Sequence, residues 1–261
     1  MIEVDTAIMI QDSEITSKVL DRTGLDALFQ ELRSRSYTLV GPCVRDQAIV
    51  YDEIETTEDL PIGLRDEQDA GRYRLKPRGD EALFGYVVGP HSWKKYLFPP
   101  VQKLFSVTRN GKELSFSNGD RPTKKLAFIG VRACELAAIA IQDRVFSGGP
   151  FIDSGYKHQR ENVFLLAVNC TEPGGTCFCA SMETGPKAKD GFDLSLTEMV
   201  RPAANEYVLT VGSSLGADVL AAVPTADADA SLLAAEDEAL ATSALKMGRS
   251  MSASGIKELL Y

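Results

Sequence analysis

Two apolar runs constrain this chain more than anything else in it. Lys125-Leu-Ala-Phe-Ile-Gly-Val131 and Asn162-Val-Phe-Leu-Leu-Ala-Val168 are both of strand length and both nearly free of polar residues. A strand apolar on both faces has to be covered on both faces, which is the habit of buried, parallel sheets. Between the two runs, Glu135–Val145 places Leu136, Ile139 and Ala140 on one helical face. Strand, helix, strand in that order is built by a right-handed parallel crossover. Tyr207–Val211 reads as a third strand of the same kind, followed by a helix beginning near Leu215. The second half is therefore expected to be α/β, with a parallel βαβ core.

The first half has a different texture. Leu25, Leu28, Phe29 and Leu32 fall at i, i+3, i+4 and i+7, the apolar stripe of an amphipathic helix. Tyr37–Val40 and Gln47–Ile54 read as short strands separated by a Gly41-Pro42 turn, and Phe84–Val88 reads as another strand. Glu55–Gly79 is charged and turn-rich, and Ser92–Leu104 reads as a short helix interrupted by Pro99-Pro100. Asn110-Gly111, flanked by Phe105–Thr108 and Leu114–Phe116, is a hairpin signal. An α+β region with hairpins is expected over residues 1–120 and the α/β region over 121–261, divided near Asn118–Thr123. Ala217–Ala241 is rich in Ala and Asp, and no internal repeat is evident.

Charge narrows the function classes. The 28 Lys and Arg stand against 37 Asp and Glu, a formal charge of −9. Such a surface repels phosphate backbones and anionic membranes unless a local basic patch exists. No apolar run approaches the ~20 residues that span a bilayer, and the first ten residues lack the basic start and apolar run of a secretory signal. The expectation is a cytoplasmic chain with no membrane span and no nucleic-acid partner. In a reducing compartment its five cysteines are read as metal, redox or packing residues rather than as disulfides.

Four of the cysteines sit where chemistry is easily built. Cys134 lies in Gly130-Val-Arg-Ala-Cys-Glu, where a buried strand gives way to a helix whose N-terminal amides favour thiolate. Cys170, Cys177 and Cys179 lie in Asn169-Cys-Thr-Glu-Pro-Gly-Gly-Thr-Cys-Phe-Cys, directly after the next strand. In a parallel sheet both positions fall at carboxyl ends of strands, where loops converge on a crevice. Four thiolates match the ligand count of a tetrahedral zinc site or of an iron–sulfur cluster. The spacing Cys-x6-Cys-x-Cys is neither a pair of zinc-ribbon knuckles nor a ferredoxin run, and it leans towards a cluster or another redox role. Free, packed thiols are the plain alternative, a poor match for three cysteines within ten residues of a polar, Gly-rich loop. Cys43, apart from these after Gly41-Pro42, reads as a packed thiol.

Other candidates are weaker. His91 and His158 are the only histidines, too few parts for a hydrolase triad; His158 reads as a surface residue. Gly212-Ser-Ser-Leu-Gly lacks both the dinucleotide fingerprint and the P-loop lysine and reads as an ordinary βα turn. Gly71-Arg-Tyr-Arg and Ser92-Trp-Lys-Lys-Tyr set cations beside aromatics, as a docking face or as solvated charge. Ser254-Gly-Ile-Lys-Glu-Leu-Leu-Tyr261 starts like a helix and stops uncapped, so a longer native chain is expected.

These residues resemble a known family. Phe128-Ile-Gly-Val-Arg-Ala-Cys-Glu-Leu, Asp143-Arg-Val-Phe and the cysteine loop continued through Ala180-Ser-Met-Glu-Thr-Gly-Pro, with Gly191-Phe-Asp-Leu, resemble the electron-transfer beta subunit of soluble sulfhydrogenases. The A subunit of anaerobic sulfite reductase, within the same 4Fe-4S dicluster family, is similar. Gly71-Arg-Tyr-Arg-Leu, Phe84-Gly-Tyr-Val-Val-Gly-Pro and Ser92-Trp-Lys-Lys-Tyr-Leu-Phe-Pro-Pro resemble its N-terminal region. The resemblance implies Cys134, Cys170, Cys177 and Cys179 as ligands of an iron–sulfur cluster of the [4Fe–4S] type. It also implies other subunits of an oxidoreductase complex as partners, flavin- or metal-containing, and a continuation of the chain into a ferredoxin-like domain with two further clusters. Ala133 stands where that family has Pro and Glu183 where it has Gly; neither change removes a ligand.

Three functions remain open at this point. The first is an electron-transfer module of a hydrogenase or of a sulfur- or sulfite-reducing complex, not catalytic as an isolated chain. The second is a zinc–thiolate structural and docking domain without a redox role. The third is an enzyme acting directly on sulfur compounds or on a reductant.

Overall fold

The structure, a computed structural model, describes residues 17–87, 89, 91–118, 124–202, 204–252 and 254–259. The N-terminal segment to Thr16, the proposed division at 119–123 and Tyr261 lie outside the described residues, as does Val88.

In chain order, β1 (Lys18–Leu20) leads into α1 (Arg22–Ser34), then β2 (Tyr37–Arg45), β3 (Ala48–Glu53), β4 (Leu64–Asp69) and β5 (Arg72–Pro77). There follow α2 (Lys94–Leu97), β6 (Phe105–Asn110), β7 (Glu113–Asn118), β8 (Lys125–Val131), α3 (Ala133–Ser147), α4 (Ser154–Arg160) and β9 (Val163–Val168). The remainder is β10 (Leu194–Met199), β11 (Glu206–Val211), α5 (Ser214–Leu220), β12 (Ala226–Asp227), α6 (Ala230–Leu245) and α7 (Ile256–Leu259). Eight strands form one sheet in the order β12-β1-β11-β10-β9-β8-β2-β3, while β4–β5 and β6–β7 are separate two-stranded ribbons.

The expected α/β core is present. β2, β8, β9 and β10 run parallel in the middle of the sheet, flanked by antiparallel strands on both sides. β8 and β9 are apolar throughout because both faces are covered. Ala127, Ile129, Phe164 and Leu166 pack with Leu25, Leu28, Phe29 and Leu32 of α1, whereas Leu126, Phe128 and Leu165 pack with Leu136 and Ile139 of α3. Each fully buried Leu or Phe of this kind stabilises the fold by about 1.5–3 kcal/mol. The stripe on α1 lies wholly in the core, and Asp21 caps the helix by accepting the Gly24 N–H at 2.7 Å.

Several expected elements differ. Gly41-Pro42 is not a turn: β2 runs through it, and the chain reverses at Asp46-Gln47, both at positive φ. Pro42 is tolerated there because β8 pairs with β2 only as far as Val40, and its ring lies against the bulge at Gly130 (φ +90°). The stretch from Phe84 to Val87 forms no strand. Its neighbouring amides bond to side chains instead, Leu83 and Phe84 to the Glu198 carboxylate and Val87 to Asp66. Within the charged 55–79 region lies the β4–β5 ribbon, and only Lys94–Leu97 of the expected 92–104 helix is helical. Tyr207–Val211 is a strand, but it runs antiparallel; the strand that follows β9 in the parallel set is β10, at Leu194–Met199. Trp93 is core rather than docking surface, stacked between Tyr51 and Phe128. No helix of the described residues is long and apolar enough to cross a membrane.

Candidate functional site

The parallel strands β8, β9 and β10 deliver their carboxyl ends to one edge of the sheet, and the cysteines gather there. After β8 the chain turns through Arg132 into α3, whose first turn carries Cys134; the Glu135 carboxylate closes that turn by accepting the Arg132 N–H at 2.9 Å and the Tyr51 O–H at 2.6 Å. After β9, Asn169 anchors the cysteine loop from behind. Its side chain donates to Thr197 Oγ1 and accepts from the Ala188 N–H, both at 2.8 Å, and Thr197 in turn donates to the buried Glu236 of α6. Cys170 N–H bonds to the Pro186 carbonyl at 3.2 Å, and Cys177 N–H to the Gly174 carbonyl at 3.1 Å.

All four thiols meet electrostatically. Cys134 and Cys179 share a hydrogen bond, Cys170 feels the charge of Cys134, Cys177 that of Cys170 and Cys134, and Cys179 that of Cys170 and Cys177. The shared bond drives Cys134 up and Cys179 down, so that the pair holds one proton firmly and releases the other readily. Burial pushes the Cys170 and Cys177 thiols up. The Arg132 guanidinium opposes it at Cys170. Among the described residues no three His, Cys, Asp or Glu side chains lie close enough to grip a single metal ion. Cys43 stands apart in the core, its thiol raised by burial, with none of the other cysteines among the charges it senses. His158 sits on α4 beside a different cavity, and Gly212–Gly216 is the turn into α5, with Ser213 capping the helix.

Three features of the site left little trace in the sequence. The first is Arg132, 4% exposed, whose Nη2 donates to the carbonyls of Phe84 and Tyr86 at 2.8 Å and whose Nε has no partner among the described residues. A cation at the end of a buried strand, two residues before a candidate thiolate, was the only available signal. The second is a pair of clamps on the cysteine loop. Arg78 grips the Glu172 carboxylate through both terminal nitrogens, at 2.5 and 2.8 Å, and Gln68 of β4 accepts from Thr176. On the other side Met247 places its sulfur 3.6 Å from Cys179 Sγ, and Arg249 N–H bonds to the Cys177 carbonyl at 3.0 Å. The third is Gly185: a Cβ there would stand 2.9 Å from Cys179 Sγ, so glycine keeps room at that sulfur.

The donor chemistry fits an anionic, thiolate-bound group. Four soft sulfur donors are linked by mutual charge, and a buried guanidinium with an unmatched N–H acts on Cys134 and Cys170, with no carboxylate ion-paired to it among the described residues. A single tetrahedral zinc with Zn–S bonds of about 2.3 Å would need the sulfurs drawn into closer contact. A polynuclear cluster takes each thiolate on its own iron and accepts a wider set.

Over 123 residues, 47% of this chain, the sequence is 32% identical to the sulfhydrogenase 2 subunit beta of Pyrococcus furiosus. The matched stretch spans a third of that relative's length. No family model matches the chain, and no solved structure does.

Proposed function

We propose that this chain is the cysteine-bearing module of an electron-transfer subunit in a multi-subunit oxidoreductase of the hydrogenase or sulfur- and sulfite-reductase type. Cys134, Cys170, Cys177 and Cys179 would hold one iron–sulfur cluster of the [4Fe–4S] type. The observation that supports the reading is the mutual charge coupling of the four thiols, with the buried Arg132 beside Cys134 and Cys170, after the parallel strands β8 and β9. The relation to a sulfhydrogenase beta subunit supports the oxidoreductase assignment. A bound cluster supplies one-electron transfer; the chain's own residues supply the frame. Asn169, Thr197 and Glu236 fix the start of the loop, Arg78 and Arg249 hold its flanks, and Arg132 balances thiolate charge with a cation that water cannot reach. Cys134 opens to solvent, which gives a redox partner an approach on that side. The partners would be other subunits carrying flavin or metal, together with a ferredoxin-like region of a longer chain, in a reducing, cytoplasmic setting. Among the described residues no set for bond-making catalysis accompanies the thiols, and in this reading the isolated chain would carry electrons and turn over no substrate.

Anaerobic reconstitution tests this reading. The wild-type chain is expected to take up iron and acid-labile sulfide in a ratio near one, about four of each per chain, with a visible chromophore. Cys134→Ser, Cys170→Ser, Cys177→Ser and Cys179→Ser each lower the iron content, whereas Cys43→Ser leaves it unchanged. One zinc per chain without a chromophore would assign the zinc–thiolate docking domain instead.

A further inference from the structure

The β6–β7 ribbon carries an apolar face that the described residues leave exposed. Its register pairs Val107 with Phe116, Arg109 with Leu114 and Phe105 with Asn118, so Phe105, Val107, Leu114 and Phe116 share one side. The other side is polar: Ser106 and Ser117 hydrogen-bond across the strands at 2.7 Å, and Thr108 faces Ser115. Phe105 is 59% exposed and Phe116 68%, and none of the four apolar residues belongs to either core. Neither strand pairs with a third among the described residues. A lone two-stranded ribbon is marginal in water, and one presenting four large apolar side chains gains most from being covered.

Charge says what kind of surface covers it. Residues 94–125 hold eight Lys and Arg against two acidic residues, so the rest of the chain carries a net charge of −15. Lys103 and Lys112 bracket the ribbon and make no ion pair among the described residues. The ribbon thus lies in a basic stretch of an otherwise acidic chain. Pairing it face to face with the ribbon of a second copy would set Lys103, Arg109 and Lys112 against their own mates, a like-charge arrangement that disfavours self-association.

We propose that the apolar face of β6–β7 docks on a different polypeptide whose surface presents carboxylates around an apolar strip. The inference stands on the ribbon and does not require the cysteine site to hold a cluster.

The test joins amines to carboxylates at zero length with a carbodiimide, in the assembly purified anaerobically from cells that make the full chain, and reads the joined peptides by mass spectrometry. Amide links from Lys103 or Lys112 to Asp or Glu of an identified second polypeptide are expected. That polypeptide, made separately, should bind the full chain with an affinity that falls as salt rises. Phe105→Ser with Phe116→Ser should weaken that binding by roughly tenfold or more, while the unfolding midpoint and iron content of the chain stay at wild-type values. Links confined to this chain or to a second copy, full binding by the double variant, or ribbon-dependent binding to phosphatidylglycerol vesicles in place of a polypeptide would each overturn the proposal.

Discussion

The sulfur of Met247 lies 3.6 Å from the sulfur of Cys179 and accepts the Ala180 N–H at 3.3 Å. The two residues belong to distant parts of the chain, one in the cysteine loop and one just beyond α6. Together with the Arg249–Cys177 backbone bond, the contact makes the segment after α6 a strap across the loop that carries three of the four thiols.

Gly248 decides how closely that strap can lie. A Cβ at Gly248 would stand 2.1 Å from the Gly175 carbonyl oxygen and 2.5 Å from its carbon, and backbone cannot move aside cheaply. Gly248→Ala is expected to lift the strap and break the Arg249–Cys177 bond, lowering the local opening free energy by about 1 kcal/mol. Hydrogen exchange should quicken in 170–180 and 247–250 and stay unchanged in β8 and β9. Unaltered exchange in the loop would count against the strap.

The reduced, metal-free chain should alkylate in a definite order. Thiolate is the nucleophile, and only Cys179 has its thiol lowered, by the hydrogen bond from Cys134; Cys134 itself, Cys170, Cys177 and Cys43 are all raised. Iodoacetamide at neutral pH should therefore label Cys179 first, and Cys43, buried in the core, last. Peptide mapping over a time course checks the order; early labelling of Cys43 or Cys170 contradicts the arrangement.

Arg132 has two separable duties. It holds the Phe84 and Tyr86 carbonyls, and it places a positive charge beside Cys170. Arg132→Met, losing both, should destabilise the fold by roughly 2–4 kcal/mol and lower the reduction potential of the reconstituted centre. Arg132→Lys keeps the charge without the fork, so its potential should stay nearer wild type even where its stability falls. Urea unfolding and a redox titration read the two duties separately, and equal potentials in both variants would remove the electrostatic one.

Stability should decline steeply in alkali. The seven described tyrosines, Tyr37, Tyr51, Tyr73, Tyr86, Tyr96, Tyr156 and Tyr207, are all raised above the ordinary value of 10.0, each chiefly by burial, Tyr96 to about 12. The folded state keeps these protons longer than the unfolded state does. Their contribution is complete below pH 10 and is lost as pH rises from there towards 12 and beyond. Tyrosinate absorbance should accordingly rise together with the loss of ellipticity; a large absorbance change in the still-folded chain would contradict the burial.

Much of this protein was legible in the chain because the signals are local. The apolar runs at Leu126–Val131 and Val163–Val168 and the stripe on α1 depend only on spacing, and all reappear where expected. Pro42 inside a strand, the antiparallel direction of Tyr207–Val211 and the loss of Phe84–Val87 from the sheet did not, because each depends on a neighbour far along the chain. For Pro42 that neighbour is the Gly130 bulge, for β11 the intervening β10, and for Leu83 and Phe84 the Glu198 carboxylate. The sequence by itself determined that parallel strands would end in thiols. Only the tertiary structure decided that a buried guanidinium would face Cys170 and that Met247 would reach Cys179, because no local pattern encodes what another segment brings to a site once both are folded.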